Sequence, residues 1–130
     1  MRNAPKPGAL VFAVDIDRLA VFYEALLGMS VARGDRDHIV LESDSLQLVI
    51  HAIPGHIARS IVIASPPQVR EDTPIKLLLP VTGIAEARAI APSVGGRVGP
   101  VEREREAEGI RACDGVDPEG NVFQLRQRAT

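Results

Sequence analysis

The order of short apolar runs and amphipathic segments repeats along this chain, and that repeat restricts the fold more than any other feature. Residues 9–14 form a short β-rich apolar run. Asp15 or Asp17 then offers an N-cap for a helix over 18–27. In that segment Leu19, Phe22, Tyr23, Leu26 and Leu27 fall at i, i+3, i+4, i+7 and i+8, one face of an amphipathic helix. Gly28 closes it in the manner of a C-terminal glycine. Three strand-like segments follow at 30–33, 38–42 and 46–52. Gly34-Asp35-Arg36-Asp37 and Ser43-Asp44-Ser45 separate them with turn chemistry.

A break at 54–73 carries Pro54-Gly55, Pro66-Pro67 and the charged Arg70-Glu71-Asp72. The apolar run at 57–64 inside it reads as a short helix or an extra strand. Then the order recurs. A strand is expected at 75–81, and a helix at 84–94 with Ile84, Ala87, Ala91 and Val94 on one face. Pro92 distorts its last turn and Gly95-Gly96 stops it. Strands follow near 97–100, 109–113 and 121–126. Gly28 and Gly96 are 68 positions apart, whereas 46–48 and 123–125 match at an offset of 77. The second unit therefore carries a longer loop, placed around 102–108. The expectation is an α+β fold of two βαβββ modules in a single domain over 1–130: module one about 8–53, a connection about 54–73, module two about 74–127.

Hydrophobic residues make up 45% of the chain and aromatics only 3%, so the core must be largely aliphatic. The same scarcity of rings leaves few platforms for stacking single-stranded nucleic acid. Fifteen Lys+Arg are scattered among 17 Asp+Glu, giving net charge −2 and no basic face for a duplex, so no nucleic-acid partner is expected. No apolar run approaches the roughly 20 residues of a spanning helix, and residues 1–8 are polar, so neither a membrane partner nor a signal segment is expected. Cys113 is the one cysteine and has no internal disulfide partner, which points to a reducing, cytoplasmic setting.

Two stretches carry a family resemblance. Asp15, Phe22-Tyr23 and Leu27-Gly28 match a D-x(6)-F-Y-x(3)-L-G helix signature. Asp117-Pro118-Glu119-Gly120-Asn121-Val122-Phe123-Gln124-Leu125 matches a D-P-[DE]-G-N-x-[FILV]-x-[FL] hairpin. With the repeat, the chain resembles the vicinal oxygen chelate superfamily, which holds glyoxalase, bleomycin-resistance and dioxygenase proteins. The resemblance implies two βαβββ modules whose sheets form a curved mixed sheet around a cavity. In metal-dependent members it implies four ligands, one in the first and one in the last strand of each module. Those positions fall here on Gly8, Gln47, Lys76 and Gln124. Glycine has no side-chain donor, lysine repels a cation, and carboxamides are weak ligands for transition metals. The resemblance so corrected implies no metal and no cofactor at that place.

Candidate ligand-binding residues are Gln47, His51, Lys76, Arg111 and Gln124. Gln47 and His51 share a strand face by period two. His51 offers a polar or acid/base group; the competing reading is a half-exposed histidine at a strand end. Lys76, alone in an apolar strand, would bind an anionic group or simply reach solvent. Arg111 and Arg126 could pair with a carboxylate or phosphate. The alternating charges of 102–106 read as a solvated strand edge or loop, and in the fold that the resemblance implies this loop could also form a rim over the cavity. The favoured function is a binder of small organic molecules resembling the bleomycin-resistance branch, as a homodimer. The alternative is a lyase, isomerase or dioxygenase of the same superfamily with a displaced metal or a metal-free acid/base site.

Overall fold

The structure is a computed structural model and describes residues 4–129. Strands β1 (Gly8–Ala13), β2 (Ser30–Gly34), β3 (His38–Glu42) and β4 (Gln47–Ala52) form a first sheet in the order β1-β4-β3-β2. Strands β5 (Leu77–Pro80), β6 (Arg97–Val98), β8 (Ile110–Val116) and β9 (Val122–Arg128) form a second sheet in the order β5-β9-β8-β6, and β7 (Arg105–Ala107) also pairs with β8. In each sheet the module's first and last strands run parallel and the other pairs are antiparallel. Helices α1 (Ile16–Leu27) and α3 (Ile84–Ile90) follow the first strand of their modules, and a single turn, α2 (Gly55–Ala58), lies between the modules. The expected α+β repeat is therefore present as two mixed sheets, which do not share a ladder.

One core serves both modules. Leu48, Ile50 and Leu41 from the first sheet, Leu79, Phe123 and Leu125 from the second, and Leu19, Phe22 and Tyr23 from α1 belong to a single buried cluster. Phe22, Tyr23 and Phe123 meet pairwise with ring centroids 5.2, 5.7 and 6.0 Å apart. Each such pair contributes about 0.5–1.5 kcal/mol beyond its buried area. Three of the chain's four aromatic residues are thus concentrated where the helix of module one meets the last strand of module two.

The two sequence motifs meet in space. Asp15 caps α1 by accepting from the Arg18 N–H at 3.1 Å, and Gly28 ends it at φ 63° with its N–H donating to the Glu24 carbonyl. The Glu119 carboxylate accepts from the backbone N–H groups of Val14 (2.9 Å) and Asp15 (2.8 Å) at the entry to that helix. Asp117, fully buried, accepts from the Tyr23 hydroxyl at 2.7 Å and from the N–H groups of Glu119 and Asn121 at 2.9 and 3.0 Å. Burial, reinforced by the Asp117 carboxylate, pushes the Tyr23 hydroxyl well above the ordinary tyrosine value. These motif residues hold the fold.

Several boundaries move from their sequence-based positions. The strand expected at 75–81 forms only over Leu77–Pro80, leaving Lys76 just before it. The second helix is α-helical over Ile84–Ile90 and tightens to a 3₁₀ turn over Ala91–Val94, because Pro92 has no N–H to continue the ladder. Its closing glycine is Gly95 at φ 90°, not Gly96. Gly96 serves packing instead: a Cβ there would collide with the Phe22 ring. Within 57–64 no strand forms, and helix ends at Ala58. The charged loop near 102–108 holds a 3₁₀ turn (Val101–Arg103) and the exposed strand β7, so both the strand edge and the loop that its alternating charge allowed are present.

Candidate functional site

Strand alternation divides each sheet into an inner face, given to the core, and an outer face. On the first sheet the register lays the outer side chains in three rows: Gly8, Gln47 and Glu42; Leu10, Val49 and Val40; Phe12, His51 and His38. Glu42 pairs with Lys6 at 2.9 Å, and that hydrogen bond is the main reason its carboxyl is held below the usual value. The middle row is apolar. Leu10 and Phe12, at 51% and 59% exposure, leave a half-open apolar strip of the sort that marks a contact surface. A side chain at position 8 would collide with the Gln47 carbonyl, so the first strand enters this face with bare backbone.

The second sheet is more polar on its outer face. Gln124 lies between Leu78 on β5 and Asp114 on β8. Lys76 Nζ meets Asp114 Oδ2 at 2.8 Å, Gln124 Nε2 donates to Asp114 Oδ1 at 3.5 Å, and Arg126 Nε donates to Gln124 Oε1 at 2.9 Å. Lys76, Asp114 and Gln124 border a cleft of about 450 Å³, lined also by Pro100, Arg103, Arg105 and Ala112. Three cationic side chains and one carboxylate therefore line one opening, an arrangement that favours an anionic guest. A second cleft of about 650 Å³ opens between the sheets, lined by Gly8, Leu10 and Phe12 on one side and Ile75, Leu77 and Val122 on the other.

The five candidate residues do not converge. Lys76 and Gln124 share the module-two cleft, although the residue beside Gln124 on β5 is Leu78. Gln47 and His51 lie together on the outer face of the first sheet, two rows apart. Arg111 does not join Gln124. It alternates with Ala112 and Asp114 onto the opposite face of β8, where it pairs with Glu106 at 3.0 Å and Glu104 at 3.8 Å. Arg126 does reach the outer face, as its spacing from Gln124 implied. Sequence reasoning missed Asp114, which reaches the cleft through cross-strand register, and offered 102–106 only as a rim, without singling out Arg103 and Arg105, which line the cleft. It also missed His38, which register places beside His51. Cys113 is buried, with its thiol 3.4 Å from the Gly99 carbonyl, and packs as a small apolar group. Among the described residues no group of three or more His, Cys, Asp or Glu side chains is placed to hold a metal ion. None of their helices is long and apolar enough to cross a membrane.

Comparison with known proteins bears on this arrangement. Residues 9–126 match the family model of a glyoxalase-like domain. A glyoxalase/bleomycin resistance protein/dioxygenase family enzyme from Burkholderia phytofirmans PsJN superposes with a TM-score of 0.69 at 16% identity, covering 96% of this chain and 99% of that one. The bleomycin resistance determinant encoded on transposon Tn5 superposes at 0.62 and 22% identity, covering 98% and 100%. A bleomycin-binding protein solved in complex with bleomycin gives 0.58 and 23%, covering 97% and 98%. At such identities the likeness is one of fold. No curated protein sequence matches the chain.

Proposed function

The chain belongs to the glyoxalase-like family of the vicinal oxygen chelate superfamily, and from that premise we propose that it binds a small organic molecule bearing an anionic group, at a site whose family metal ligands have been replaced. The observation that carries the proposal is the cleft in which Lys76, Arg103 and Arg105 surround Gln124 and Asp114. An anionic head would pair with the cations, Gln124 would supply a directional hydrogen bond, and Ala112 and Pro100 would contact an apolar body.

The chemistry of the four inherited positions supports the same reading. Position 8 has no side chain and no room for one. Positions 47 and 124 are carboxamides, and position 76 is an ammonium already engaged by Asp114. Divalent transition ions select imidazole, thiolate and carboxylate donors, so this set does not fit one. The half-exposed Leu10, Phe12 and Leu78 would be covered by a second copy, which makes a homodimer part of the proposal. A reducing cytoplasm suits a protein whose sole cysteine is a buried free thiol.

Thermal unfolding against a panel of aromatic carboxylates, sulfonates and phosphonates tests this. A ligand at 100 times its Kd adds about 2.7 kcal/mol, roughly 10 °C for a domain of this size. At least one anionic class is expected to raise Tm in the wild type and to lose that effect in Lys76→Met and Arg105→Ala. A panel without any stabiliser, or stabilisation indifferent to those changes, would contradict the proposal.

A further inference from the structure

Outside the four inherited positions, one pair of side chains has the features of metal ligands. His38 and His51 are direct cross-strand partners on the outer face of the first sheet. The Ala52 N–H donates to the Asp37 carbonyl at 2.8 Å, so that neighbouring pair is the hydrogen-bonded one. His38 and His51 therefore occupy the adjacent non-hydrogen-bonded site, where opposed side chains come closest. Their rings lie 18° from parallel with centroids 6.3 Å apart.

The outer contacts of the two rings decide what they present. His38 Nδ1 meets Asp35 Oδ1 at 2.9 Å, and His51 Nδ1 meets the Ala52 carbonyl at 2.9 Å. Each acceptor holds the proton on Nδ1 and leaves the Nε2 lone pair free. An imidazole whose other nitrogen donates to a carboxylate or a carbonyl is the usual form of a histidine metal ligand. Two imidazoles bound tetrahedrally to one ion, with Zn–N near 2.0–2.1 Å, have ring centroids about 5 Å apart and the ion in both ring planes, so closure here needs about 1 Å of approach and a turn of the His38 ring out of the stack, with the exposed Asp35 side chain following it. Phe12 packs edge-on against His51 at 5.9 Å and steadies one of the two rings.

We propose that His38 and His51 form a two-imidazole site for a borderline divalent ion such as Zn(II), Ni(II) or Cu(II), with its remaining coordination positions open on the outer face of the first sheet. Imidazole nitrogens suit these ions, and the Asp35 carboxylate behind His38 adds favourable charge. The site uses none of the four inherited positions and stands whether or not those bind an organic anion.

The chain has three histidines, and His56 lies at an exposed position on α2, so it provides an internal control. Untagged protein stripped with chelator is titrated with Zn(II) by calorimetry, and the three imidazole signals are followed by proton NMR. One ion per chain is expected, with the His38 and His51 signals moving together and the His56 signal unmoved. His38→Ala and His51→Ala should each weaken binding at least tenfold, whereas His56→Ala and Gln47→Ala should leave it unchanged. The NMR readout needs no variant, so a misfolded substitution cannot hide the answer. No saturable binding, movement of only one of the two signals, or dependence on His56 or Gln47 would overturn the site.

Discussion

The inner and outer faces of the same strands are written in different chemistry. Leu48 and Ile50 turn inward and are fully buried, whereas Gln47, Val49 and His51, interleaved with them, turn outward and stay partly exposed. On β9, Phe123 and Leu125 enter the core while Gln124 and Arg126 join the polar chain beside the cleft. Inward positions are constrained by packing and by a buried hydrogen-bond network. Outward positions are free of that constraint, and the difference between the two sheets appears there: an apolar strip with a histidine pair on one, a cationic cleft on the other. The two sheets thus share one packed core and differ in what their outer faces present.

The contrast breaks most easily at Asp117. Asp117→Ala strands the Tyr23 hydroxyl and two backbone N–H groups in the interior. The expected loss is about 3–5 kcal/mol, read as a lower denaturant midpoint. A loss under 1 kcal/mol would mean the inner network does not hold the fold. Glu119→Ala removes the acceptor for the Val14 and Asp15 N–H groups, which can recover some bonding from water, so about 2 kcal/mol is expected by the same assay.

Tyr23 gives a spectroscopic version of the test. Its raised folded value means the folded state holds the phenol proton more tightly than the unfolded chain. The stability it contributes is complete below the unfolded value and is lost as pH rises from about 10 upward. As the sole tyrosine, its phenolate absorbance should emerge together with the loss of secondary structure. Ionisation well before unfolding would contradict its place beside Asp117. The smallest effect is on the outer face. The Lys76–Asp114 pair is nearly half exposed, so Lys76→Met should change stability by no more than about 0.5 kcal/mol.

Much of the inner face was legible in the sequence. The 3.6-residue stripe of α1, the glycine at 28 and the Asp117–Asn121 turn are local signals, and packing obliges the residues to obey them. The outer face was legible in composition but not in grouping. Gln47 with His51, and Gln124 with Arg126, follow from period two within a strand. Asp114 beside Gln124 and His38 beside His51 require cross-strand register, which loop geometry sets. Arg111 shows the limit from the other side. It shares the parity of the buried Cys113, two residues on, and that parity carries it away from Gln124. Arg103 reaches the cleft from the end of a 3₁₀ turn and Arg105 from the first position of β7, whose pairing with β8 no periodicity encodes.

The most direct test is calorimetric titration of the best-stabilising organic acid into chelator-treated protein, comparing wild type with Lys76→Met. The account predicts saturable binding without metal, weakened at least tenfold by the substitution, about 1.4 kcal/mol, at unchanged fold stability. Binding that requires added metal, or equal affinity in both proteins, would contradict it.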